Sequence, residues 1–203
     1  RRRGLGRLKA LDPKPEVIRY QREQPGELIQ LAIKKLDRIN GAGHRLTGDR
    51  TQRSRGIGWD FLHVCVDDAS RLAYTEILPD ERKESAVAFL ERAIAWFATL
   101  GVTVERVMTD NGSAYLSRTF RDACQTLHVK HKRTRPYTPR TIDSSAVDPV
   151  PQGTARPASR RGKAERFIQT SLCEWAYLQA FESSTARRQA MRPWLHRFER
   201  DYG

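Results

Sequence analysis

Cysteine is scarce in this chain: Cys65, Cys124 and Cys173 are the only three in 203 residues, and no two form a Cys-x-x-Cys pair. An odd, widely spaced set offers neither a disulfide framework nor a structural zinc motif. The five histidines are equally scattered, with no His-x-x-x-His or His-Cys grouping. Long apolar runs are missing too. None approaches the ~18 residues of a membrane span, and Arg1-Arg2-Arg3-Gly4 lacks the apolar stretch that follows the basic end of a signal peptide. These absences point away from membrane and secreted proteins and towards a reducing cytoplasm. Negative charge is also short: 24 Asp and Glu face 37 Lys and Arg, a net +13.

The excess is uneven. Residues 1–55 carry a net +9, residues 56–111 a net -5, and residues 112–203 a net +9. An acidic middle between basic flanks is the distribution expected of a carboxylate site that receives a polyanion; a solvated surface with a basic tail would have the same composition. The mean hydropathy of -0.68 is low, so part of the chain is expected to stay unpacked.

Periodicity divides the chain. Residues 1–26, with Pro13, Pro15 and Pro25, read as a basic arm or linker. Leu28 to Ile33 is a short, β-rich apolar run that predicts a buried strand, ended by Lys34-Lys35. A Gly- and Arg-rich loop from Asn40 to Gly58 follows. Trp59–Val66 and Leu72–Leu78 read as two further strands joined by the turn Asp67-Asp68-Ala69-Ser70, most simply an antiparallel meander. Apolar residues at three- and four-residue steps predict helices over 85–100 and 117–127, with a strand at Val102–Met108 between them and a short one at His128–His131. From Arg133 to Gly162 the pattern gives way to Pro, Ser, Thr and Gly, and 140–161 reads as a disordered insert. A helical pattern restarts at Gly162, and another spans Ser184 to about Phe198, interrupted at Pro193. Trp96, Trp175 and Trp194 fall in helical patterns and are expected in a core or interface. The result is an α/β fold, a mixed sheet with helices packed on it.

Two acids stand out. Asp110, in Thr109-Asp110-Asn111-Gly112, follows a buried strand, where loops of open α/β sheets collect functional groups; it also suits an ordinary turn. Glu165 lies on the first turn of a predicted helix, where a surface Glu is commonplace. Five ordered strings carry more: Glu27-Leu28-Ile29 leading to Ile33-Lys34-Lys35-Leu36, Val66-Asp67-Asp68-Ala69-Ser70-Arg71, Thr109-Asp110-Asn111-Gly112-Ser113, Arg135-Pro136-Tyr137-Thr138-Pro139 and Gly162-Lys163-Ala164-Glu165-Arg166. Together, over about residues 10–200, they resemble the integrase core of bacterial DDE transposases related to retroviral integrase, of the IS481 and IS3 type.

That resemblance implies an RNase H-like fold with a five-stranded mixed sheet, the core spanning 27–200. It implies three carboxylates holding two magnesium or manganese ions for DNA strand transfer, with transposon ends and target DNA as partners of a homo-oligomer in the bacterial cytoplasm. Asp110 matches the second carboxylate and Glu165 the third, as catalytic and metal-binding residues. The first falls on Ala32, which offers no ligand, so the chain is expected to be catalytically impaired. Asp67 and Asp68 are expected to shape their turn, not to replace the missing ligand. The 54 residues between Asp110 and Glu165 exceed the family's spacing, and the surplus falls at 140–161. Lys132, Arg133, Arg135, Lys163 and Arg166 are the expected phosphate contacts, which would hold DNA without reading its sequence. Two rivals are a non-catalytic DNA-binding or subunit-interaction remnant and an RNase H-type nuclease; the Lys-Ala-Glu-Arg helix argues against the second. The family also implies a helix-turn-helix region before this stretch and an Arg-Pro-His segment after it.

Overall fold

The computed structural model describes residues 22–39, 58–134 and 162–202. Residues 1–21 of the expected arm, the loop at 40–57, and 135–161 with Arg135 and the expected insert lie outside these.

The three apolar runs after Glu27 form an antiparallel meander: β1 (Ile29–Asp37), β2 (Trp59–Asp67) and β3 (Ala73–Leu78). A helix, α1 (Lys83–Thr99), then crosses to β4 (Arg106–Thr109), which lies parallel to β1. Two short helices, α2 (Ser113–Leu116) and α3 (Arg118–Thr126), lead to β5 (Lys130–Arg133), parallel to β4. The five-stranded sheet has the order β3-β2-β1-β4-β5. After the undescribed stretch come α4 (Lys163–Ser171), extended by a π-helical turn at Leu172–Ala176, and α5 (Ser184–Tyr202).

Alternation along the strands creates two apolar layers. Odd-numbered residues of β1, Ile29 and Leu31, join Cys65, Val107 and the buried faces of α1 and α3, where Phe89, Leu90, Phe97, Phe120 and Cys124 pack. Leu36 of β1 joins Leu62, Val64 and Val66 of β2 on the opposite face, under Ala164, Phe167 and Ile168 of α4 and Trp175, Met191 and Trp194. Each fully buried Phe or Leu contributes about 1.5–3 kcal/mol relative to an exposed one. Trp175 and Trp194 lie in the core as expected, with stacked rings 6.0 Å apart.

Several boundaries differ from the sequence expectation for local reasons. β1 continues through Lys34 and Lys35, whose exposed side chains leave the backbone free to pair with Leu62 and Phe61. β4 begins only at Arg106, because residues 102–105 are held by the loop before β1: the Glu105 N–H donates to the Gly26 carbonyl at 2.8 Å. His128 adopts a left-handed turn (φ 56°), which delays β5 to Lys130. Pro193 does not interrupt α5. Its missing N–H would have bonded the carbonyl of Gln189, an exposed residue whose oxygen water can satisfy.

Gly26 fixes the approach to β1. Its φ is +83°, a Cβ there would stand 2.2 Å from the Thr103 carbonyl oxygen, and its N–H donates to Asp67 Oδ1 at 2.9 Å. Gly26→Ala is expected to cost at least about 2 kcal/mol, combining left-handed strain with a backbone clash. Urea denaturation checks this, and a loss under 0.5 kcal/mol would show that the loop relaxes freely.

Candidate functional site

The second acid of the sequence reading sits where β4 ends. The parallel register pairs Ile29 with Val107 and Gln30 with Met108. Carried two residues further, it sets Ala32 of β1 level with Asp110. Ala32 lies on the face covered by α4 and packs against that layer, while Val107 and Ile29 occupy the other face. The continued register therefore relates the same alanine and aspartate that the motif alignment pairs, two residues past the end of the ladder.

Asp110 is exposed and aimed by its own loop. Its Oδ1 accepts the Gly112 N–H at 2.8 Å, and a Cβ on Gly112 would come within 3.0 Å of that oxygen, so a glycine suits the close turn. Asn111 Nδ2 donates to the Thr134 carbonyl at 2.9 Å, tying the loop to the end of β5. Beneath, Thr109 Oγ1 donates to the Asp110 carbonyl at 3.0 Å and lies 2.8 Å from His131 Nε2. Burial, reinforced by Arg133 and Arg121, holds the His131 imidazole below the usual histidine range.

Glu165 is exposed on the first turn of α4, one residue after Ala164, whose N–H donates to Gln30 Oε1 at 3.3 Å. α4 thus begins over β1 at a point two residues before Ala32, on the same face. Lys163 is drawn inward: its Nζ lies 2.9 Å from Asp68 Oδ2. Arg166 is exposed on the same turn. On β5, Lys132 shares the face of Met108, while Arg133 is exposed and level with Thr109. β5 reads Lys-His-Lys-Arg from end to end at the edge of the sheet.

Asp67 and Asp68 form the turn expected of them. Asp67 is fully buried and accepts the Ser70 N–H and Oγ–H, each at 2.7 Å, besides Gly26 N–H. Asp68 accepts Gln30 Nε2 at 2.9 Å and the Arg22 N–H at 3.1 Å. Asp67 lies at the start of β1, opposite Ile29, and Asp68 just beyond it, opposite Leu28, away from the level of Ala32. Sequence reasoning missed Gln30; its signal was a lone amide in an apolar strand, which must find partners once buried.

The donor set does not suit a two-metal centre. Asp110 and Glu165 are hard oxygen donors of the type magnesium takes, but Ala32 supplies none. Among the described residues no group of three or more His, Cys, Asp or Glu side chains could hold a metal ion.

Comparison with known proteins agrees with the topology. Residues 39–139 match the model of the integrase core domain. A stretch of 91 residues, 45% of this chain, is 29% identical to the Gag-Pro-Pol polyprotein of Simian retrovirus SRV-1, and 79 residues, 39% of it, are 33% identical to that of Squirrel monkey retrovirus. The matched stretches span 5% and 4% of those polyproteins. Among solved structures, the catalytic core domain of BIV integrase superposes with a TM-score of 0.52 at 14% identity, over 88% of this chain and 86% of that one. The mixed five-stranded sheet is thus the RNase H-like fold of integrase cores. With the integrase core match over residues 39–139, the chain belongs to the family of DDE-type integrases and transposases.

Proposed function

We propose that this chain is the integrase core of a bacterial insertion-sequence transposase of the IS481 and IS3 type, one that retains DNA binding but is impaired in strand transfer. The observation that carries this reading is the β1–β4 register, whose continuation sets Ala32 level with Asp110, with α4 starting over Gln30 of the same strand. It supports a carboxylate site whose first position is an alanine. The intact activity is in-line attack on a DNA phosphodiester, by water for cleavage or a 3′-hydroxyl for joining; it needs three convergent carboxylates with magnesium or manganese, and this chain offers two. The chain works in the cytoplasm as part of a homo-oligomer on transposon ends and target DNA.

The DNA-holding part falls to the basic edge. Lys132 and Arg133 lie on β5, whose end Asn111 ties to the Asp110 loop, and Arg166 follows Glu165 on α4, a placement that suits a backbone-binding rim. Arg135 belongs to the same proposed rim and lies outside the described residues. Fluorescence anisotropy with a labelled duplex over a salt series tests this. The logarithm of affinity should fall linearly with the logarithm of salt, and Lys132→Ala and Arg133→Ala should each reduce the slope by about 1. Binding without salt dependence would overturn the assignment.

A further inference from the structure

We propose that Lys163 is a positioning residue, the pin that fixes the first turn of α4, and Glu165 with it, against the sheet, rather than a ligand of DNA phosphate. α4 starts without a side-chain cap of its own: Gly162 at its N-cap has no side chain to offer. Its first N–H groups still need acceptors. Gln30 of β1 supplies one, taking the Ala164 N–H on Oε1. The other end of the same amide, Nε2, donates to Asp68 Oδ1 at 2.9 Å. Asp68 in turn holds Lys163, whose Nζ is 2.9 Å from Oδ2 and also donates to the Asp68 carbonyl oxygen.

The contacts close a ring through α4, β1 and the β2–β3 turn. Asp68 is itself held to the sheet, its N–H donating to the Leu28 carbonyl at 2.9 Å. The ring is largely shielded: the Lys163 side chain is 15% exposed and that of Asp68 9%. An ammonium recruited by phosphate would have to leave two acceptors and strip a buried carboxylate of its cation, which is far more costly than losing a surface pair. Asp68 also places a negative charge beside the helix N-terminus, where the backbone dipole favours it.

The test uses the complete chain with Lys163→Met, Lys163→Arg and Asp68→Asn. Amide hydrogen exchange over residues 164–168 should quicken at least about tenfold in Lys163→Met and Asp68→Asn and return close to the parent rate in Lys163→Arg. The salt slope of DNA affinity should stay unchanged in Lys163→Met. Unchanged exchange, or a slope lower by about 1, would overturn the proposal in favour of a phosphate contact. Should Lys163→Met not fold, Lys163→Gln, which keeps a donor and loses the charge, is read in the same way. A catalytic arm rests on the function proposed above. In an Ala32→Asp background, Lys163→Met should lower kcat at unchanged KM for DNA, with Lys163→Arg restoring it. Absence of both strand transfer and a magnesium effect on melting in Ala32→Asp alone would count against that function, while the exchange rates would still decide the pin.

Discussion

Ala32→Asp is expected to confer thermal stabilisation by magnesium and strand transfer on the chain. The physical reason is the register of β1 and β4, whose continuation sets the new carboxylate level with Asp110. Without metal, two carboxylates side by side repel each other, at a cost in stability. The metal-free variant should therefore melt below the parent chain. A divalent cation reverses that sign, because it binds only the folded site: at a concentration of about 100 times Kd it adds about 2.7 kcal/mol. Scanning calorimetry with and without magnesium separates the two effects. In the same variant, joining of a labelled 3′-hydroxyl end to target DNA should rise by orders of magnitude over the parent, the scale on which charge-stabilising groups act. Magnesium-dependent melting without strand transfer would place the remaining defect elsewhere in the chain. No magnesium effect on melting would overturn the assignment of Ala32 to the first ligand position.

Arg187→Ala is expected to be the most destabilising single change on the α4–α5 side of the sheet. Arg187 is fully buried on α5 and its Nη2 donates to Asp60 Oδ2 of β2 at 3.2 Å. Its carbonyl accepts the Trp175 indole N–H at 2.9 Å, so the residue locks α5 to the turn that ends α4. Among the described residues Nε and Nη1 have no hydrogen-bond partner, which marks a charge retained in the interior at some expense. Removing one partner of a buried pair costs about 3–5 kcal/mol, because the other charge stays buried. Here Arg38, 41% exposed and 3.2 Å from Asp60 Oδ1, compensates only in part. For a chain of this size the melting point should fall by roughly 6–20 °C. The double variant Asp60→Leu/Arg187→Met should recover most of the loss, since apolar replacement of both partners is often neutral. A loss below about 1 kcal/mol for Arg187→Ala would show that the pair is not what holds α5 in place.

Neither residue could be ranked from the chain alone. Arg187-Arg188 reads as an ordinary basic surface pair at the start of an amphipathic helix, and Asp60 as a polar residue in an alternating strand. Only the docking of α5 on β2 buries the first arginine and leaves the second in water. Lys163 shows the same limit from the opposite side. Its place beside Glu165 in a basic string suggested a phosphate ligand, yet its four-carbon stem reaches Asp68, 95 positions earlier in the chain.

What the residues determined by themselves was local and periodic. Short apolar, β-rich runs marked the three strands of the meander, three- and four-residue steps marked α1 and α3, and the string around Asp110 marked the loop after β4. These signals survive in a lone sequence because each depends on neighbours within a few residues. The tertiary structure decided what depends on distant partners. The β1–β4 pairing fixed the register whose continuation sets Ala32 level with Asp110. Gln30, one amide in an apolar run, became the acceptor for the first turn of α4 because burial obliges an amide to find partners wherever the chain brings them. Burial and pairing are properties of the folded chain, and so it was packing that divided the basic residues into those drawn into ion pairs inside the fold, such as Arg187 and Lys163, and those left exposed, such as Arg188 and Arg166.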